Sequence, residues 1–327
     1  MFSFRFFIIP YGFIILGLYI TYLGFIKNWY EEGKDLELPK NSAPEISTLY
    51  DSNVFIRKAG NPFIHVKSKK LTLNQLNHNY HLIAPIGEYY SNANGPIFFS
   101  GKFGFLNGDT KFLQLKNEVE LKNETSVVTT DLANYNINRE EFETIGSVKS
   151  KHLDQKSLDK IFIDADRAFL LNKEQLSVYE GNVNGRIDRH KVYEPSVYFK
   201  SDTLRADLKN SIIYLNNNVY LTKQKTVATS LRGEIYLESY NKKLKYYALY
   251  DDVKVVEEYT NPQGQNVKRE AYGEKVDGFI LEQKTVLSGN PKVVQGTDIV
   301  KGNRITIYDQ NELVEVDDSN TKLIIKD

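Results

Sequence analysis

The chain has 327 residues, and its 42 lysines and arginines are balanced by 42 aspartates and glutamates, so the formal net charge at pH 7 is zero. This balance argues against a nucleic-acid-binding protein, which needs a basic excess to displace counterions from phosphates. Cysteine is absent, which excludes disulfides, thiolate metal sites and cysteine nucleophiles from this chain.

The first predicted element is a membrane-spanning helix. The 21 residues from 6 to 26 contain no charged side chain, and a helix of that length reaches about 30 Å, the thickness of a bilayer core. Arg5 precedes this segment, and Trp29 and Tyr30 follow it. That order is typical of a cytoplasmic N-terminus with aromatic residues at the opposite interface. The competing interpretation is a cleaved signal peptide, which has a shorter apolar stretch and a small-residue cleavage site.

Beyond residue 60 the chain is predicted to be β-structured throughout. Apolar and polar residues alternate with a period of two, as around Val197 and Phe199, and a period of 3.6 nowhere persists for more than about two turns. The 22 tyrosines favour strands. Because strands and helices do not alternate, a doubly wound α/β fold is not expected.

A short motif recurs along this β region, in which asparagine, aspartate or glycine precedes a valine. The valines lie 29 to 40 residues apart. They are Val119, Val148, Val183, Val219, Val253 and Val293. We interpret each motif as a turn between two strands, so that each unit is a hairpin and the stacked units enclose a continuous apolar interior. An ordinary β-sandwich would also alternate, but it ends after about 100 residues.

Motifs that indicate catalysis are missing from the sequence. There is no P-loop, GxSxG, HExxH or GxGxxG. His78 and His81 lie three residues apart in an asparagine-rich segment, which indicates an exposed loop rather than a metal site. Carboxylate pairs such as Asp164 and Asp166 would serve a glycosidase only at a defined separation across a sugar. We therefore predict a protein that is not an enzyme and that has no metal site and no cofactor.

Two sets of segments carry a resemblance to known families. The segment Leu287–Gly296, LSGNPKVVQG, resembles the closing repeat of the LptA (OstA-like) family of periplasmic lipopolysaccharide-transport proteins. The segment 299–305 continues this resemblance, and the segments 198–204 and 213–219 resemble that repeat in the same way. Residues 1–190 resemble the LptC family of lipopolysaccharide export proteins, with the motifs at 98–104, 112–119, 129–135 and 145–148.

The resemblance implies an all-β fold in which an N-terminal transmembrane helix precedes an elongated open β-jellyroll. The jellyroll would consist of two consecutive LptC/LptA-like β domains. The implied organisation is a transmembrane anchor at 1–27, a stalk at 28–60, an LptC-like domain at 61–190 and an LptA-like domain at 191–327.

The same resemblance implies a carrier that catalyses no reaction. It would hold the acyl chains of lipopolysaccharide in an apolar β groove, as part of the bridge from the inner to the outer membrane. The implied location is the inner membrane, with a single span, a cytoplasmic N-terminus and the bulk of the chain in the periplasm. The implied partners are lipopolysaccharide, the inner-membrane ABC transporter components of its export, and further LptA-like domains or the outer-membrane translocon, joined end to end by strand addition. Nucleic acid is not an expected partner.

Candidate groove residues follow from the alternation, because every second residue of a strand faces one side of the sheet. They are Leu113, Leu115, Val119, Leu121, Val197, Phe199, Ile213, Leu215, Val219, Leu221, Ile235, Leu237, Phe279, Leu281, Val293, Ile305 and Ile307. The same side chains would also seal a dry core. The alternative function is therefore a membrane-tethered structural or adhesive β-repeat protein, and a tethered carbohydrate-active enzyme using Asp164 or Asp166 is a third hypothesis.

Overall fold

A computed structural model describes most of the chain beyond residue 45. The described ranges are 46–58, 61–74, 76–91, 95–153, 158–171, 174–191, 195–207, 209–237, 246–260, 264–280, 282–309 and 313–317. The predicted anchor (1–27) and residues 28–45 of the predicted stalk (28–60) lie outside them. Residues 46–58 of that predicted stalk instead form the first strand of the sheet. Within these ranges every regular element is a strand, and none contains a helix that could span a membrane.

The described residues form 21 strands, which pair into one antiparallel sheet and confirm the all-β prediction. The strands are β1 (Ile46–Lys58), β2 (Asn61–Asn74), β3 (Asn79–Ile83), β4 (Ile86–Ser91), β5 (Gly95–Ser100), β6 (Phe103–Asn107), β7 (Phe112–Lys122), β8 (Ser126–Asn136), β9 (Glu141–Leu153), β10 (Lys160–Leu171), β11 (Leu176–Asp188), β12 (Val197–Asp207), β13 (Ile212–Lys223), β14 (Thr226–Tyr236), β15 (Tyr246–Thr260), β16 (Asn266–Phe279), β17 (Lys284–Ser288), β18 (Lys292–Gln295), β19 (Asp298–Lys301), β20 (Arg304–Tyr308) and β21 (Val314–Asp317).

Most of the long strands bend at a bulge near their middle. In β7, Lys116 pairs with Leu132 and Val119 pairs with Thr130, so two residues of β7 lie opposite a single residue of β8. Those two residues, at 117 and 118, have positive φ angles of 60° and 53°. An extra residue on one strand of a pair bends that strand and increases its twist.

The same bulge recurs on every second strand, and its residues are those of the repeated sequence motif. Paired positive φ angles occur at Asn117–Glu118, Gly146–Ser147, Gly181–Asn182, Asn217–Asn218, Asp251–Asp252 and Gly289–Asn290. The prediction of hairpin turns at these motifs is therefore wrong, since β7 continues through its motif from Phe112 to Lys122. Asparagine, aspartate and glycine tolerate the left-handed region in a bulge as they do in a turn, so the local sequence signal is the same for both.

Polar side chains stabilise this line of bulges, which we call the corner. Asn182 Nδ2 donates a hydrogen bond to Asp166 Oδ2 on the neighbouring strand at 2.8 Å, and Asn218 Nδ2 donates to Asp202 Oδ2 at the same distance. The buried hydroxyl of Ser201 donates to a backbone carbonyl of its own strand at 2.9 Å. Side chains of neighbouring strands are thus linked to each other at the corner, and Ser201 supplies a partner for one backbone carbonyl there.

The corner divides the sheet into two half-sheets. The front half-sheet consists of β4, β5, β18, β19 and the segments 52–58, 61–68, 119–122, 126–130, 148–152, 160–165, 183–188, 197–201, 219–223, 226–230, 253–260 and 266–273. The back half-sheet consists of β3, β6, β17, β20, β21 and the segments 46–50, 70–74, 112–116, 132–136, 141–145, 167–171, 176–180, 203–207, 212–216, 232–236, 246–250 and 275–279.

The two half-sheets face each other across a common interior. Tyr179 of the back half-sheet donates a hydrogen bond from its hydroxyl to Ser150 Oγ of the front half-sheet at 3.0 Å. The rings of Tyr89 and Tyr135, which belong to opposite half-sheets, have centroids 5.1 Å apart. The sheet therefore folds at its corner into a sandwich with one buried face.

The bend also changes which residues point inward. In β8, Val128 and Thr130 are buried before the corner, whereas Ala133 and Tyr135 are buried after it. This shift from even to odd positions keeps both parts of the strand facing the same interior, and most of the buried apolar residues form a single cluster. The cluster continues across the predicted domain boundary at 190, because β11 and β12 pair on either side of it.

Candidate functional site

The interior between the half-sheets is the candidate site, and most of the predicted groove residues lie in it. Buried there are Leu113, Leu115, Val119, Leu121, Val197, Phe199, Ile213, Leu215, Val219, Leu221, Ile235, Val293, Ile305 and Ile307. Leu237 is half-buried and packs against the core, and Leu281 lies outside the described residues. These positions establish an apolar interior, while lipid binding by them stays a prediction.

Phe279 does not share the inward face of its strand. Before the corner β16 buries its odd-numbered residues, but after the corner it buries Val276 and Gly278. A Cβ atom on Gly278 would lie only 2.1 Å from the ring of Tyr247, so that ring occupies the inward position. Phe279 lies on the outer side, where the Lys284 ammonium is 5.2 Å from its ring centroid. The parity change at the corner explains the difference.

Aromatic rings fill the interior at the N-terminal end. The ring of Tyr89 meets Phe63 edge to face at a centroid distance of 5.0 Å, and Tyr135 stacks on Phe142 at 4.2 Å. The Tyr89 hydroxyl donates to Glu140 Oε2 at 3.0 Å, and burial raises the pKa of the Tyr135 hydroxyl. This cluster leaves the interior beside β4, β8 and β9 closely packed.

The middle of the interior contains a cavity of about 110 Å³. Its front wall includes Leu121, Val128 and Ile163, and its back wall includes Ala206 and Ile213. All five of these side chains are buried. The cavity thus lies between β7–β10 on one side and β10–β14 on the other, and its buried walls are mainly apolar.

The mouth of this cavity combines apolar lips with polar side chains. Its back lip consists of Leu170, Leu171, Leu176, Ile212 and Leu237, all half-buried. On the front rim, Ser126 Oγ and His152 Nδ1 are hydrogen-bonded at 2.7 Å. Ligand pockets usually measure about 300–1,000 Å³, so a long apolar ligand would enter only if the half-sheets separated at the mouth.

The C-terminal part of the interior is closed by a buried ion pair. Arg269 Nη1 lies 3.5 Å from Glu257 Oε2, and the side chains of the two residues are 1% and 8% exposed. Arg269 Nε also donates to Gln295 Oε1 at 3.2 Å, and its guanidinium carbon is 4.8 Å from the ring centroid of Tyr259. Only about 10 Å³ of cavity is left beside it.

Beside the ion pair, a polar contact joins the two half-sheets. Lys223 Nζ of the front half-sheet donates to Asp309 Oδ2 at 3.2 Å, directly after β20 of the back half-sheet. Burial, and then the negative charge of Asp309, raise the pKa of the Tyr247 hydroxyl. The mouth that is lined by leucine and isoleucine in the middle of the sheet is therefore bridged by charged groups here.

Sequence reasoning missed Glu257 and Arg269 because their charge suggested outward positions. They pair directly across β15 and β16, and both positions alternate with buried apolar neighbours such as Val255 and Ala271. A charged residue in register with buried neighbours is the signal that would have identified them.

The carboxylates considered for catalysis are not arranged as a catalytic pair. Asp164 is exposed on the outer face of β10, while Asp166 lies at the corner and accepts a hydrogen bond from Asn182. Within the described ranges, no group of three or more histidine, aspartate or glutamate side chains is placed to hold a metal ion.

Part of the chain is similar to known proteins. Residues 198–313 match the family model described as LptA/(LptD N-terminal domain) LPS transport protein. Among solved structures, the chain is similar to LptH from Pseudomonas aeruginosa, described as the LptA homologous periplasmic component of the conserved lipopolysaccharide transport device, at 15% identity and a TM-score of 0.36. That similarity covers 40% of this chain and 95% of LptH. No curated protein matches the chain.

The family match confirms the predicted LptA-like resemblance for residues 198–313. The resemblance of the first half to LptC is not tested by these comparisons and stays a prediction.

Proposed function

We propose that the chain is a membrane-anchored carrier that moves lipopolysaccharide through the periplasm and catalyses no reaction. The observation that carries this proposal is the continuous apolar interior between two facing half-sheets, in a chain whose residues 198–313 match a lipopolysaccharide-transport family. The acyl chains would lie between the half-sheets, and the hydrophilic sugars would stay in water.

The energetics of this interior suit transfer rather than storage. Burying an acyl chain stabilises it by about 0.8 kcal/mol for each CH₂ group removed from water. A carrier that offered one deep site would hold its ligand too tightly to release it. Successive apolar rows of similar composition, as on β7 and β13, would exchange one contact for an equivalent one at each step.

Entry would occur through the mouth of the middle cavity. The half-buried leucines and isoleucines of its back lip would separate from the front rim and be replaced by acyl carbon. Because these half-buried side chains are already partly hydrated in the closed state, separating the half-sheets at the mouth exposes less additional apolar surface and costs less free energy.

The remaining parts of the proposal concern the surroundings of the sheet. Residues 6–26 would anchor the chain in the inner membrane with the N-terminus in the cytoplasm, as their uncharged composition predicts. The inner-membrane ABC transporter of lipopolysaccharide export would supply the substrate. Further LptA-like domains or the outer-membrane translocon would accept it by strand addition.

A tethered structural protein with a dry core is the second candidate. It is favoured by the close packing of the interior at both ends and by the small volume of the cavity, about 110 Å³. The two functions differ in whether amphiphile ever enters between the half-sheets.

Photo-crosslinking in cells tests the proposal. The photoreactive residue p-benzoylphenylalanine would replace Leu176 at the lip, with the exposed Tyr220 on the outer face of β13 as the matched control. We expect crosslinks to lipopolysaccharide from position 176 and none from position 220. Equal capture at the two positions, or capture at 220 alone, would show that lipid does not enter the interior and would favour the dry core.

A further inference from the structure

The outer surface of the sheet carries its exposed apolar side chains unevenly. Ten of the sixteen large hydrophobic residues that are exposed lie between residues 46 and 103, which form the smaller part of the described chain. Soluble proteins rarely expose contiguous apolar surface without a binding role. The N-terminal strands therefore need an explanation that the interior does not supply.

Strand register places several of these residues on one outer face. Phe55 pairs with His65, His65 with Glu88, and Glu88 with Phe98, so the two phenylalanines lie in one outward row of the front half-sheet. They are 59% and 49% exposed. Ile86 and Tyr90 lie on the same side of β4 as Glu88, because they are two residues away from it in either direction.

A cleft of about 600 Å³ adjoins this row at the corner. Three lysines, two carboxylates and several hydroxyl groups line it, namely Lys67, Lys69, Lys102, Asp51, Glu118, Ser52, Ser68 and Ser100. Lys102 pairs with Glu118. Lys67 and Lys69 are exposed, and neither forms an ion pair with another described residue. The charge of Lys67 acts on the nearby Glu88 carboxylate, and exposed ammonium groups beside hydroxyls can also bind phosphate oxygens.

Together these residues form the N-terminal outer patch, defined as Phe55, Ile86, Tyr90, Phe98, Lys67, Lys69 and Lys102. We propose that this patch rests on the surface of an anionic lipid bilayer. Its apolar side chains enter the interfacial region, and its lysines meet the phosphate headgroups. Aromatic and aliphatic side chains next to lysines are the combination that binds membrane interfaces.

The order of the chain supports a bilayer as the occupant. The patch is built by β1, β2, β4 and β5, the first strands after the uncharged segment 6–26. The 19 residues from 27 to 45 separate that segment from Ile46, and at full extension they span at most about 65 Å. The inference rests on the proposed function to this extent, since an anchored segment 6–26 keeps the patch within reach of the membrane.

Attraction to headgroups depends on ionic strength. The Debye length falls from about 10 Å at 0.1 M salt to about 3 Å at 1 M, so high salt weakens the lysine contacts and leaves the apolar ones. High salt should therefore weaken the contact between the patch and the bilayer without releasing a chain that is anchored in the membrane.

Site-specific fluorescence on the full chain tests the proposal. The chain has no cysteine, so Phe98→Cys provides a unique site for a fluorophore. Tyr198→Cys on the outer face of β12 is the matched control, because Tyr198 is 50% exposed. The labelled proteins are reconstituted in vesicles of brominated phosphatidylglycerol and phosphatidylcholine, or of phosphatidylcholine alone, and bromine quenching is measured.

We expect several-fold stronger quenching at position 98 than at position 198 in anionic vesicles. Lys67→Glu combined with Lys69→Glu, or 1 M salt, should remove most of the difference. If the protein floats with the vesicles but both labels are quenched equally, binding of the patch to the bilayer is refuted, while membrane anchoring of the chain is supported. If the protein does not float with the vesicles, both the membrane anchor and the binding of the patch to the bilayer are refuted.

Two further outcomes would overturn the identity of the occupant. Equal quenching in neutral and anionic vesicles would refute the headgroup contacts of Lys67 and Lys69. A label at position 98 that is already shielded from water in the absence of lipid would indicate a second copy of the chain on this face instead of a bilayer.

Discussion

The middle and the C-terminal part of the interior have the same backbone arrangement, but the first contains an apolar cavity and the second is filled by a buried ion pair. Both lie between half-sheets that meet at the same line of bulges. In the middle, leucine and isoleucine surround a cavity of about 110 Å³. Near β15 and β16, an arginine–glutamate pair leaves about 10 Å³. The fold thus encloses the interior along the whole sheet, and the inward side chains determine how much free volume each part of it contains.

The buried pair is difficult to explain by stability alone. Removing two charges from water costs several kcal/mol, and well-packed apolar residues of similar size often serve equally well. The pair does fix the position of the Arg269 side chain, because the guanidinium also contacts Gln295 and Tyr259. In the proposed carrier, these side chains of the front half-sheet would occupy the C-terminal part of the interior until they are displaced.

The largest effect is expected from breaking the buried pair. Arg269→Met should lower the free energy of unfolding by about 3–5 kcal/mol, because it leaves the Glu257 carboxylate buried without its cation. Urea unfolding measures this change. The double variant Arg269→Met with Glu257→Leu should recover most of the loss, and a single variant that costs under about 1 kcal/mol would show that the pair is not buried as described.

Replacing a buried alanine by leucine should destabilise the C-terminal part of the interior more than the middle. Ala271→Leu places three extra carbons against the closed region and should cost about 1–3 kcal/mol through overpacking. Ala206→Leu places them in the middle cavity and should cost less than about 1 kcal/mol, while it weakens lipid crosslinking from position 176. Thermal and urea unfolding check the first part. Equal costs at the two sites would remove the contrast between the regions.

Alkaline pH should destabilise both regions through buried tyrosines. Burial raises the pKa of Tyr179 in the middle and of Tyr247 near the C-terminal closure, where Asp309 adds to the shift. The folded state keeps these protons above pH 10 while the unfolded state releases them. Stability is therefore complete below about pH 10 and falls above it, by at most about 1.4 kcal/mol per pH unit for each tyrosine.

Unfolding free energies measured from pH 9 to 11.5 check this dependence. Tyr247→Phe should reduce the slope above pH 10 and leave the value at pH 7 to 9 nearly constant with pH. An unchanged slope in both Tyr247→Phe and Tyr179→Phe would mean that neither hydroxyl is held neutral by the fold.

The smallest effect is expected at the corner, which the two regions share. Asp166→Ala and Asp202→Ala each remove one side-chain hydrogen bond from a bulge and should cost about 0.5–1.5 kcal/mol. Lipid crosslinking from position 176 should stay unchanged in both variants. A loss of crosslinking with unchanged stability would mean that the corner also controls the entry of lipid into the interior.

The sequence predicted the class of fold and most of the inward face, because alternation with a period of two is a local property. Leu113, Leu215 and Ile305 were placed correctly by that rule. The repeated motif was located correctly but interpreted as a turn, since Asn217 and Asn218 suit the left-handed region in either setting. Only the pairing of distant strands distinguishes a bulge from a reversal of the chain.

Two other features depended on the same long-range information. Phe279 was assigned inward because the parity change at the corner of β16 leaves no trace in the local pattern. The inward charges of Glu257 and Arg269 conflict with the usual position of charged residues, and their mutual pairing across β15 and β16 resolves that conflict only in three dimensions.

Native mass spectrometry of the gently extracted full chain tests the central claim most directly. If the interior carries acyl chains, the protein should retain lipopolysaccharide in a complex of defined stoichiometry, and Ala206→Leu should reduce the bound fraction while the protein stays folded. A protein that is always free of lipopolysaccharide, both as the unaltered chain and as the variant, would contradict the account and identify the interior as a dry core.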